Sequence, residues 1–73
     1  MNIEHYNKPR SEWEYIINEW VIGKNAQRDR DILIKNLLDG VTYERLAEHY
    51  EIEPRQVGRI VTKRMENLIS HIY

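Results

Sequence analysis

The chain has 73 residues, 41% of them hydrophobic and 32% charged, with a net charge of −1, which allows one small core and no second domain. It holds no cysteine, which excludes disulfides and thiolate metal sites. The opening MNIEHYNKPR lacks the apolar stretch of a signal peptide, and nowhere do about 18 apolar residues run together, so a soluble, cytoplasmic protein with no membrane span is expected.

Residues 1–10 are polar and aperiodic and contain Pro9, the composition of a flexible N-terminal arm, leaving 11–73 as a single domain. Ser11 precedes Glu14 by three positions, the spacing of a capping box, and Trp13, Ile16, Ile17, Trp20 and Val21 follow at helical spacing. This predicts a first helix over about 12–22, with both tryptophans on its core face and Gly23 as a left-handed stop. Asn25 is placed to cap a second helix, whose apolar stripe is Leu33, Ile34, Leu37 and Leu38 and which ends at Gly40. Thr42 is placed to cap a third helix of about eight residues, burying Tyr43, Leu46, Ala47 and Tyr50. Pro54 suits the first turn of a fourth, because a proline lacks the N–H that would be unpaired there. The stripe Val57, Ile60, Val61, Met65, Leu68, Ile69 and Ile72 carries that helix for about 18 residues, or about 27 Å. No segment alternates with the period of a strand. The fold class predicted is all-α, a bundle of about four helices.

The third and fourth helices are separated by about four residues, and that short break is the most informative feature of the chain. A short helix, a tight turn and a second helix form a helix-turn-helix, here spanning about 42–64. Such a unit needs a small residue at the crossing, where Ala47 stands, and an apolar residue in the turn, where Ile52 stands. Val57 and Ile60 would anchor the second helix, leaving Arg55, Gln56, Arg59 and Lys63 outside. The stretch RDRDILIKNLLDGVTYERLAEHYEIEPRQVGRIVTKRMENLI, Arg28 to Ile69, resembles the promoter-reading helix-turn-helix domain of bacterial sigma factors, their fourth region, and similar small phage and bacterial regulators. The resemblance implies DNA recognition by the helix from Pro54. Two positions depart from it. Glu51 fills the slot that opens the turn, where the family often has glycine, so the turn either has another shape or carries strain of roughly 1 kcal/mol. Glu53 fills a cap slot often held by Ser or Thr, and both acids lie close to where phosphates would come.

Charge supports the same helix. Four basic residues against one acidic give residues 54–73 a net +3, while seven basic against eleven acidic give the remainder −4. Arg55, Arg59 and Lys63 are four apart and line one side of a helix. Arginine can pair with guanine and Gln56 with adenine through two hydrogen bonds each. Arg64 extends the basic run. Gly58 would let the helix approach a duplex closely or would simply weaken it. Thr42 and Tyr43, at a helix N-terminus, are candidates for phosphate contact, although a plain N-cap explains Thr42 as well. Arg28, Arg30 and Lys35 are interleaved with Asp29 and Asp31, which makes local ion pairs the simpler reading.

No catalytic group is legible. Ser11 and Ser70 have no base partner, and no glycine-rich phosphate loop exists. His5, His49 and His71 are scattered, so neither a metal nor another cofactor is expected, and the chain is not expected to be an enzyme. The expected function is sequence-specific binding of double-stranded DNA by a small phage or bacterial transcription regulator. The alternative is a protein-interaction module on the same fold, an inhibitor or adaptor docking onto RNA polymerase or another protein, with Glu44, Glu48, Glu51 and Glu53 as its working face. Leu68, Ile69, Ile72 and Tyr73 suggest more apolar surface than one core requires, hence a homodimer through the C-terminal helix.

Overall fold

The computed structural model describes residues 8–72. Among these there are four helices and no strand: α1 (Arg10–Trp20), α2 (Ala26–Leu33, prolonged by a π turn over Ile34–Leu38), α3 (Tyr43–Tyr50) and α4 (Pro54–Ile72). The expected arm at 1–10 falls mostly outside the described residues. Lys8 already pairs with Glu12 at 3.3 Å, and Arg10 is the first helical residue.

The start of α1 differs from the capping box expected at Ser11. Pro9 holds the N-cap backbone, extended at φ −68° and ψ 158°, and its carbonyl accepts from the N–H groups of Glu12 and Trp13 at 3.1 and 3.2 Å. The Glu14 carboxylate that would complete the box instead accepts from Arg10 at 3.0 Å. Arg10 also reaches across to Asp39 at 2.6 Å, joining the start of α1 to the end of the π turn. That hydrogen bond is the main reason the Asp39 carboxyl sits below its usual range and the Arg10 guanidinium above its own.

The other end of α1 is also earlier than expected. Val21 is buried with its N–H on the Ile17 carbonyl, and the chain then leaves the helix. Arg30 donates to the Val21 carbonyl at 2.7 Å, and Arg64 to that of Ile22 at 3.1 Å. Gly23 does take a left-handed backbone, φ +92°, within the loop that follows. Asn25 does not cap α2 with its side chain. Its own backbone is left-handed, φ +64°, whereas a capping side chain reaches back from an extended residue. The second helix closes over Ile34–Leu38 with wider i→i−5 bonds, Asp39 N–H meeting the Ile34 carbonyl at 3.2 Å. Asn36 Nδ2 then donates to the Val41 carbonyl at 2.9 Å and fixes the link to α3.

The core is drawn from all four helices: Trp13, Ile16 and Ile17 from α1, Ile32 and Leu33 from α2, Leu46 and Ala47 from α3, and Val57, Val61, Met65 and Leu68 from α4, with Val21 between. Trp20 is a correction. It is 45% exposed and stacks on His71 of α4, with ring centroids 4.4 Å apart, rather than entering the core. Of the residues on which a C-terminal dimer was expected, Leu68 is buried in the core and Ile69 packs partly against it. The side chain of residue 72, and residue 73, lie outside the described residues. No helix among the described residues is long and apolar enough to cross a membrane.

Candidate nucleic-acid interface

The break between α3 and α4 is three residues long, Glu51 to Glu53. Thr42 caps α3 as expected, its hydroxyl oxygen accepting from the Arg45 N–H at 3.2 Å. At the far end the chain turns through Glu51, which is left-handed at φ +57°. The Glu51 N–H points to the Glu48 carbonyl at 3.4 Å and the Ile52 N–H to the Ala47 carbonyl at 3.0 Å. This is a Schellman closure with glutamate where glycine is normally found. Of the two outcomes left open by the sequence, the turn keeps the glycine-type shape and carries the strain. Ile52 packs partly buried against the core and Ala47 is fully inside it. The chain then enters α4 at Pro54, with the Glu53 carbonyl accepting from Gln56 and Val57.

One side of α4 is spent on the core and the other is open. Val57, Val61, Met65 and Leu68 are buried, whereas Arg55, Gln56, Arg59 and Lys63 are all exposed. At about 100° per residue, Arg55, Arg59 and Lys63 drift only about 80° around the axis while advancing about 12 Å along it. Arg59 and Lys63 have no carboxylate partner among the described residues. Arg55 pairs with Glu53 at 3.1 Å, but both side chains are more than 70% exposed, so water screens the pair and little holds it together.

Two of the sequence-derived candidates have other work. Arg64 is turned away from the exposed stripe. Its Nε donates to the carboxylate of Asp29 at 2.8 Å, Nη1 to the Ile22 carbonyl at 3.1 Å and Nη2 to the Lys24 carbonyl at 3.3 Å. Asp29, 5% exposed, is the one buried charged residue among those described, and Arg28 holds its other oxygen at 3.1 Å. Tyr43 lays its ring over Gly58. A Cβ on Gly58 would come within 3.1 Å of Tyr43 Cε2. The glycine is therefore explained by close approach of α3 to α4 inside the protein, and the space beside it is already filled.

Two exposed cations were passed over by sequence reasoning. Lys24, in the loop between α1 and α2, lines the same open groove of about 570 Å³ as Arg59 and Lys63, together with Ile22 and the half-buried Ile60. Ile60 thus anchors α4 with only part of its surface. Arg45 is exposed in the first turn of α3, next to the Thr42 cap, with no ion pair among the described residues. Helical periodicity locates neither: Lys24 lies outside any helix, and Arg45 is ordinary in an exposed helix turn. Among the described residues no three His, Asp or Glu side chains converge as metal ligands would.

Compared with known proteins, the chain matches no family model, and no curated protein or solved structure shows a significant similarity to it.

Proposed function

We propose that the protein binds double-stranded DNA sequence-specifically as a small cytoplasmic transcription regulator, using α3, the turn and α4 as a helix-turn-helix. The observation that carries this reading is the exposed face of α4, where Arg55, Gln56, Arg59 and Lys63 lie together beyond a tight turn and none is used to hold the fold. Arg55 and Gln56, in the first turn, would meet base edges, and Lys63, two turns on, a phosphate. Thr42 keeps its hydroxyl proton free for a phosphate at the start of α3, and Arg45 stands beside it. The resemblance of Arg28 to Ile69 to the fourth region of sigma factors agrees with this assignment of roles.

Selection of duplexes from a random pool, followed by variant binding, tests it. Arg55→Ala should cost about 1–3 kcal/mol on the selected site and relax preference at one base pair. Lys63→Ala should weaken selected and scrambled duplexes alike. Recovery of no preferred sequence would remove the claim of specific readout. A second reading, a protein-docking module, is favoured by Tyr15 and Trp20 of α1, which are large aromatics left at the surface away from the basic stripe. Under that reading Tyr15→Ala abolishes a protein contact while Arg55→Ala changes nothing.

A further inference from the structure

We infer that the loop between α1 and α2 is a second nucleic-acid contact, with Lys24 binding a backbone phosphate and Arg64 acting as the positioning residue that holds Lys24 there. The inference rests on the DNA reading of α4 and adds an element to it. Lys24 is exposed, has no ion pair among the described residues, and faces Arg59 and Lys63 across one groove. A strand whose bases are read by α4 would run its phosphates beside that helix, and this groove lies there, its two acids, Asp29 and Glu53, already paired with Arg64 and Arg55 and its Lys24, Arg59 and Lys63 without ion pairs among the described residues.

The loop carrying Lys24 is fixed to α4 by an arrangement that the core alone does not require. Arg64 brings two donors to the carbonyls of Ile22 and Lys24 and a third to the buried Asp29. Asp29 in turn orients the guanidinium, because Arg28 holds its second oxygen. Gly23 and Asn25, on either side of Lys24, are both left-handed, so the loop reverses tightly around it. A flexible lysine on a free loop would lose conformational freedom on binding, and a loop already tied to the reading helix loses less. Arginine suits the position because its planar fork serves three acceptors at fixed angles, which a lysine ammonium cannot match in the same place.

The test is a binding cycle on the full chain with a random-sequence duplex at two salt concentrations. Lys24→Ala should weaken binding about five- to tenfold near 0.1 M salt and lower the slope of log K against log salt by about one. Lys24→Arg should restore both. Arg64→Lys keeps the net charge, so a purely electrostatic role predicts no change. The positioning role predicts a loss comparable to that of Lys24→Ala, and no further loss when the two substitutions are combined. Circular dichroism of Arg64→Lys confirms that the compared proteins are folded, and Lys24→Ala, at an exposed site, carries the test if it is not. Should Arg59→Ala weaken binding while Lys24→Ala leaves affinity and slope unchanged, the loop contact is wrong and the DNA reading stands. Should the unaltered protein fail to bind duplex at low salt, both fall together.

Discussion

Glu51 shows how a single backbone angle can be read from sequence in part. Its position at the end of α3 calls for a left-handed residue, and φ is +57° there despite a side chain that disfavours it. Glu51→Gly should therefore stabilise the fold by up to about 1 kcal/mol, offset in part by the greater freedom glycine gives the unfolded chain. Urea denaturation would measure it, and a loss of stability would mean that the glutamate side chain contributes something the strain argument omits. Gly58 is different, because the sequence flagged it without supplying the reason. The reason is the Tyr43 ring, fifteen positions earlier, standing where a Cβ would go. Gly58→Ala should raise helix propensity by about 1 kcal/mol but lose part of that gain against the ring. The gain should be larger in a Tyr43→Ala background, and equal gains in the two backgrounds would contradict the contact. Arg64 was half legible. The sequence placed it with the basic run, although its helical phase lies about 100° round from Lys63. What no spacing rule supplied was Asp29, thirty-five positions away.

At the scale of elements, pattern and structure agree most closely where local signals are strongest. Thr42 and Pro54 open α3 and α4 where capping chemistry says they should, and the apolar stripe of α4 packs on the core from Val57 to Ile69. The start of α1 was misjudged because Glu14 had two possible partners and the arginine won. The π turn left no trace in the sequence, since Ile34, Leu37 and Leu38 satisfy an ordinary helical stripe equally well. Trp20 was assigned to the core because its spacing from Trp13 and Ile17 is helical. Phase alone does not say how far along the axis the neighbouring helix still covers it.

Pairing between helices makes two element-scale predictions. Arg64 ties α4 to the start of α2 through a buried carboxylate. Arg64→Ala should cost about 2 kcal/mol, less than the roughly 3–5 kcal/mol of a buried ion left with no partner, because Arg28 still holds Asp29. Thermal denaturation measures this, and a change within about 0.5 kcal/mol would mean that water replaces the arginine without penalty. Tyr50 of α3 hydrogen-bonds to Asp31 of α2, and its phenol is pushed up to about 12, first by burial and then by that bond. The folded value lies above the ordinary 10.0, so the neutral phenol is what the fold favours. Its contribution is complete below pH 10, declines as pH rises and is lost once pH passes about 12. The melting temperature should accordingly fall more steeply between pH 10 and 12 in the native protein than in Tyr50→Phe, and parallel curves would contradict the pairing.

For the whole molecule, a net charge of −1 is the sum of −4 over residues 1–53 and +3 over residues 54–73. Four of the twelve acids, Glu44, Glu48, Glu51 and Glu53, lie on α3 and the turn, while Arg55, Arg59 and Lys63 are exposed on α4 and Lys24 lines the same groove. The division between the two ends of the chain was visible by counting, and the α4 stripe by periodicity. The groove that joins the stripe to the Lys24 loop was not, because it depends on how α1, α2 and α4 pack together. A protein with this overall charge has no general attraction for DNA, so the proposed binding requires a local cationic face. The measurement that bears most directly on this is the affinity of the unaltered protein for a random-sequence duplex, titrated from about 50 to 200 mM salt. If Lys24, Arg45, Arg59 and Lys63 meet phosphates, log K should fall linearly with log salt, with a slope near −3 to −4, and Arg59→Ala should make that slope shallower by about one. Binding that is absent at 50 mM salt, or that is indifferent to salt, would contradict the account.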